Sequence, residues 1–86
     1  GNMSSTTYLF NVEEVNDALV KDTIKEVCEA LNERGYNAVN QLAGYLMSGD
    51  PGYISNHKEA RNKISKIDRS KILEILIKEY LKNWEY

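Results

Sequence analysis

The stretch "RGYNAVNQLAGYLMSGDPGY", residues 34–53, constrains the fold more than any other part of the chain. It holds two helix stops and two helix starts in close succession. Gly35 and Gly49 each follow an apolar run of helical period, and glycine accepts the left-handed backbone that closes a helix. Asn37 offers a side-chain acceptor to the free N–H groups of a new helix. Asp50-Pro51 repeats the signal, with proline at a first helical position where a missing N–H is no loss. A chain punctuated in this way folds as several short helices.

The same stretch has the outline of a nucleotide-binding loop, with Gly44 and Gly49 five residues apart as in G-x-x-x-x-G-K-[ST]. Such a loop needs a strand before it, a helix after it and a lysine on the phosphates. Here the glycines fall within and at the end of a helical period, and Asp50 stands in the lysine position. A carboxylate repels a triphosphate, so the stretch ends a helix and holds no nucleotide.

Around this punctuation the apolar residues predict a helical bundle. Val20, Ile24, Val27 and Leu31, with Cys28 beside them, form one stripe of a helix from about Asp17 to Arg34. Val39, Leu42, Ala43, Leu46 and Met47 form the stripe of a second. A single turn through Tyr53-Ile54 leads to a third helix, capped by Ser55 or Asn56, with Ala60, Ile64 and Ile67 inward. Asp68 caps a fourth whose apolar residues are Ile72, Leu73, Ile75, Leu76, Tyr80, Leu81 and Trp84. Tyr36, Tyr45 and Tyr53 are expected to flank the two turns with hydroxyls outward. The fold class is therefore all-α, a small compact bundle of about four helices over residues 17–86.

Residues 1–16 read as a flexible tail. Gly1-Asn2 ahead of Met3 reads as a cloning remnant, with Met3 the natural start. "TYLFNV", 7–12, alternates in polarity and predicts a short extended segment.

An 86-residue chain removes only about 60–65% of its unfolded surface from water. The fourth helix's stripe is wider than one short neighbour covers. Self-association as a homodimer through Leu73, Leu76, Tyr80 and Trp84 is the expected remedy. No apolar run reaches membrane-spanning length and no signal-peptide pattern precedes the fold, which predicts a cytoplasmic protein without membrane insertion.

Charge divides the chain. Residues 1–50 carry eight acids against three bases, and residues 51–86 five against eight. The bases crowd into 57–71, where Lys58, Arg61, Lys63, Lys66, Arg69 and Lys71 face only Glu59 and Asp68. This face either complements the acidic half or docks an anion or acidic peptide. The net charge of −2 and a pI near 5.4 argue against nucleic acid as its partner.

The chemistry of an enzyme is missing. Cys28, the only cysteine, falls on an apolar helix face where a small thiol is a core residue. His57, the only histidine, lies near a helix start and reads as a surface or cap residue. No catalytic, metal or cofactor constellation emerges, so the chain reads as a non-enzyme needing no cofactor.

The longer stretch "RGYNAVNQLAGYLMSGDPGYISNHKEARNKI", 34–64, resembles the IreB family of small regulatory phosphoproteins of Gram-positive bacteria. The family core runs G-Y-N-P-I-N-Q-[IL]-x-G-Y-[LV]-x-S-G-D-P-x-Y-I and then A-R-N-x-I. Matching residues include Gly35, Tyr36, Asn37, Asn40, Gln41, Gly44, Tyr45, Ser48, Gly49, Asp50, Pro51, Tyr53, Ile54, Ala60, Arg61, Asn62 and Ile64. Ala38 departs from the proline, and Ser70-Lys71 stand where members commonly have Asp-Glu.

The resemblance implies an all-α homodimer without catalytic activity. It implies a substrate of a membrane-anchored Ser/Thr kinase with wall-binding PASTA repeats, acting on an unidentified downstream protein in cell-envelope stress signalling. Phosphorylation would fall on the N-terminal tail. Thr7 matches the family's T-x-x-F ahead of Phe10, Ser4 takes the place of the second acceptor, and Thr6 is a neighbouring candidate. The added phosphate is expected to dock on Arg61 and Arg69 with Lys66 nearby. The competing expectations are a nucleic-acid accessory protein and an unmodified dimeric adaptor.

Overall fold

The computed structural model describes residues 2–84, with side chains described from Val15 to Trp84. Four α-helices follow one another: α1 (Asn2–Glu33), α2 (Ala38–Ser48), α3 (Ala60–Ser65) and α4 (Arg69–Lys82). Two single 3-10 turns, Pro51–Tyr53 and His57–Glu59, sit between α2 and α3.

α1 is the spine. Its Val20, Ile24, Val27 and Leu31 are all buried, as the sequence period predicts, and α2, α3 and α4 each pack against it. Their contributions to the core are Leu42 and Tyr45 from α2, Ala60 and Ile64 from α3, and Ile72 and Ile75 from α4. Ile54, in the loop, is completely enclosed. Burying a side chain of this size contributes about 1.5–3 kcal/mol. Cys28 is partly buried against this core.

The helix ends follow the punctuation. At the end of α1 the Tyr36 N–H reaches back to the Leu31 carbonyl at 3.0 Å, with Gly35 left-handed at φ 79°. Asn37 accepts the Asn40 N–H at 3.1 Å and so caps α2. Gly49, at φ 75°, closes that helix with a bond to the Tyr45 carbonyl. Asp50 caps the next turn, accepting the Gly52 N–H at 2.8 Å, with Pro51 at its start.

Four expectations are corrected. α1 begins at Asn2, so the segment 7–12 read as extended falls within a helix. A lone six-residue strand has no partner for its N–H and C=O groups, whereas a helix pairs them internally. α3 starts at Ala60 and lacks a side-chain cap from Asn56; Ser55 accepts the His57 N–H at 3.2 Å instead. Lys58 and Glu59 take left-handed conformations there, at φ 53° and 64°, which breaks the helix between turn and α3. The Asp68 side chain makes no cap bond to α4, although its carbonyl accepts from Lys71 and Ile72.

The fourth correction concerns the face of α2. Val39, Ala43 and Met47 point to solvent, with Val39 76% and Met47 87% exposed, while Tyr45 is buried. α2 is apolar nearly all round, so periodicity alone does not choose its inner side. The choice falls to the loop: Gln41 Nε2 donates to the Tyr53 carbonyl at 2.9 Å, and the Tyr53 ring lies over Gly44. This turns Leu42 and Tyr45 inward.

A Cβ at Gly44 would overlap Cδ1 and Cε1 of Tyr53. Alanine is the better helix former by about 1 kcal/mol, yet Gly44→Ala is expected to lower stability by about 1–3 kcal/mol through overpacking. In a Tyr53→Ala background the same change should stabilise. Denaturant unfolding of the four proteins checks this, and a destabilising Gly44→Ala in both backgrounds would refute the contact.

Candidate functional site

Three sets of residues invite a function: the basic stretch 57–71, the exposed part of α4, and the N-terminal acceptors. The structure divides the first between two tasks. Lys58, Lys63 and Lys71 face the acids of α1. Glu33, the last residue of α1, receives His57 Nε2 at 2.7 Å and Lys58 Nζ at 3.0 Å. Lys63 approaches Glu26 at 3.4 Å, and Lys71 approaches Asp17 at 2.8 Å. Lys78 adds a second cation to Asp17, and Lys21 of α1 meets Glu79 of α4. The acidic half of the sequence and its basic half are thus stitched together across the helix contacts.

The electrostatics follow this pairing. The Lys71 ammonium beside Asp17, with burial opposing it, holds that carboxyl below its usual value. Lys58, then His57, does the same for Glu33, and Lys21 for Glu79. Lys21, Lys71 and Lys78 are raised in turn by Glu79, Asp17 and Glu74 respectively. Burial pushes the Cys28 thiol up, which keeps it protonated and unreactive.

The arginines do something else. Arg61 Nε donates to the Pro51 carbonyl at 3.2 Å and the Ile54 carbonyl at 2.9 Å. Arg69 Nη1 donates to the Leu46 carbonyl at 3.0 Å, its guanidinium lying against Gly49. Both therefore clamp the loop that joins α2 to the rest of the core, a role that the sequence reading missed. The signal was available: a tight turn after a helix leaves carbonyls without partners, and arginine is the donor best suited to gather two of them. Arg61, Arg69 and Lys66 take part in none of the ion pairs among the described residues.

On α4, Leu73, Ile77 and Tyr80 are exposed by 43%, 57% and 62%, as is Trp84 just beyond its end by 59%, while Leu76 is partly buried against the core. Tyr80 and Trp84 meet edge to face with centroids 5.7 Å apart. The side chains of Thr7, Ser4 and Thr6 lie outside the described residues. Among the described residues no group of three or more His, Cys, Asp or Glu side chains is placed to hold a metal ion. No helix among them is long and apolar enough to cross a membrane.

A family model described as IreB regulatory phosphoprotein matches residues 5–82, which take in the clamped loop and its helices. The chain belongs to the IreB family. A UPF0297 protein of Lachnoclostridium phytofermentans is 49% identical over 79 residues, which cover 92% of this chain and 90% of that protein. The IreB description is of a regulatory phosphoprotein, which implies protein partners. Thr6 and Thr7 fall inside the matched residues, and Ser4 falls just outside them.

The lowered carboxyl pKa values of Asp17, Glu33 and Glu79 give this chain's stability a pH dependence of definite sign. Stability from a group whose folded pKa is lowered is fully present above its unfolded value and is lost as pH falls through the folded one. Thermal melts of the protein are expected to decline below the ordinary carboxylate range. A protein carrying Asp17→Asn and Glu33→Gln should start less stable at neutral pH and decline less on acidification. An unchanged acid decline in that variant would show that these pairs do not carry the effect.

Proposed function

We propose that this IreB-family protein is a non-enzymatic, dimeric regulatory phosphoprotein of the cytoplasm, switched by a PASTA-type Ser/Thr kinase acting on its N-terminal segment. The observation that carries the reading is the match to a regulatory phosphoprotein family across residues 5–82. Thr7, three residues before Phe10, is the principal acceptor, with Thr6 and Ser4 secondary. A phosphothreonine adds about −1.5 to −2 charges and strong acceptor oxygens. Its receptor would be Arg61, Arg69 and Lys66 of the same or the partner subunit, which the N-terminal segment would reach by leaving the line of α1. Supporting this, none of the three is tied to a carboxylate among the described residues. The arginine groups not engaged with loop carbonyls are the ones that would meet the phosphate.

Phosphosite mapping tests the switch. After incubation with the cognate kinase domain and ATP, mass spectrometry is expected to place phosphate on Thr7, and Thr7→Ala should remove it with the fold intact. Phosphate absent from residues 3–7 would overturn the reading in favour of an unmodified adaptor.

Self-association is assigned to α4. Leu73, Ile77, Tyr80 and Trp84 follow one another in steps of four, three and four, the spacing of a helix seam. Leu76 links that seam to the core. Dimerisation would withdraw it from water, and a charge at its centre would prevent this. Ile77→Glu combined with Tyr80→Glu is therefore expected to give a monomer by light scattering at a concentration where the wild type is a dimer, with unchanged helical circular dichroism. An unchanged mass would place the dimer surface elsewhere.

A further inference from the structure

A cavity of about 420 Å³ opens between α1 and α4, on the side of α4 turned away from Leu73, Ile77 and Tyr80. The fold and the reading above give it no task. Ile75, almost fully buried, and the half-buried Leu81 supply its branched carbons, and the stems of Lys21, Lys78 and Lys82 continue the wall. The lining is nearly all hydrocarbon, and no aromatic ring joins it among the described residues. Its volume falls at the small end of the about 300–1,000 Å³ usual for ligand pockets.

The polar heads stand at the mouth, and their pairing leaves one cation over. Lys21, Lys71, Lys78 and Lys82 meet Asp17, Glu74 and Glu79, and each of these acids is met by two lysines. With Lys78 and Lys82 turned elsewhere, Asp17 would keep Lys71 at 2.8 Å, Glu74 would keep Lys71 at 3.8 Å, and Glu79 would keep Lys21. Lys82 makes one ion pair among the described residues, to Glu79 at 3.6 Å, and Lys78 reaches Asp17 at the same distance. These two lysines are one helical turn apart, so their ammonium groups can converge on a single anionic head. One added negative charge brings the group into balance.

We infer that this cavity binds a small amphiphilic monoanion, an unbranched medium-chain carboxylate, with its chain along Ile75 and Leu81 and its head between Lys78 and Lys82. An aliphatic wall suits a flexible chain, whereas a flat ring finds no aromatic partner to stack on. Nucleic acid needs many cations where one is over. A protein surface closing here would have to satisfy every charge at the mouth. The inference goes beyond the regulatory reading and needs neither phosphate nor dimer, because the self-association seam lies on the opposite side of α4.

Octanoate titrated into the isotope-labelled full-length protein tests this by NMR. Amide resonances of Lys21, Ile75, Lys78, Leu81 and Lys82 are expected to shift together and saturate. Octylammonium, with the same chain and the opposite head, should bind at least about tenfold more weakly, and acetate, with the head alone, should not saturate. Lys78→Gln combined with Lys82→Gln should weaken octanoate at least about tenfold, with unchanged helical circular dichroism. Equal binding of octanoate and octylammonium, indifference to the double variant, or no saturable shift at these residues overturns the assignment. So do shifts centred on Leu73, Ile77 and Tyr80, which would place the chain on the seam instead.

Discussion

One stripe of one helix supports everything else. Val20, Ile24, Val27 and Leu31 put α1 at the centre, and each remaining helix lays its own short apolar edge on that line. α3 has six residues and α2 eleven; helices of that length are marginal alone in water. They exist here because burial against α1 pays for ordering them. The long helix is the template, and the glycine-punctuated region is what allows the chain to double back onto it.

Doubling back leaves loop carbonyls facing inward, and this explains why the basic stretch is chemically mixed. A lysine is a compact charge that suits a carboxylate across a helix contact, and Lys58, Lys63 and Lys71 are used in that way. The guanidinium is planar with several donors, and Arg61 reaches two carbonyls of one turn with a single nitrogen. That turn presents Ile54 to the core, so Arg61 holds apolar packing in place through polar bonds. The phosphate recognition proposed for these arginines would draw on donors other than those that clamp the loop. Exchange of these arginines for lysine would keep charge and lose the clamp.

The stops, starts and core of this fold were legible wherever a local rule acts alone. Gly35, Gly49, Asn37 and Asp50 cap as expected because capping involves only neighbours in sequence. The α1 stripe was legible because polar residues occupy its other faces. α2 was not, since Val39-Ala43-Met47 and Leu42-Tyr45 both fit a helical period, and the loop's grip on Gln41 and Gly44 made the choice. The start of α3 was missed because its turn is set by Glu33, twenty-four residues from His57 in sequence. The basic cluster was visible as composition, but which members pair and which clamp is a tertiary fact.

The apolar surface left outside separates into two kinds by its electrostatic surroundings. The α4 seam is continuous with the core through Leu76 and is flanked by Glu–Lys pairs along its own helix. Such pairs remain solvated at the rim when two like surfaces close, which suits contact between copies. The α2 stripe has no charge within its own helix, and the acid beyond its end, Asp50, sits between Gly49, which lies against the Arg69 guanidinium, and Pro51, whose carbonyl accepts from Arg61. With no charged rim of its own helix, that stripe would meet another surface by apolar contact alone, whereas closure of the α4 face would leave its Glu–Lys pairs at the margin.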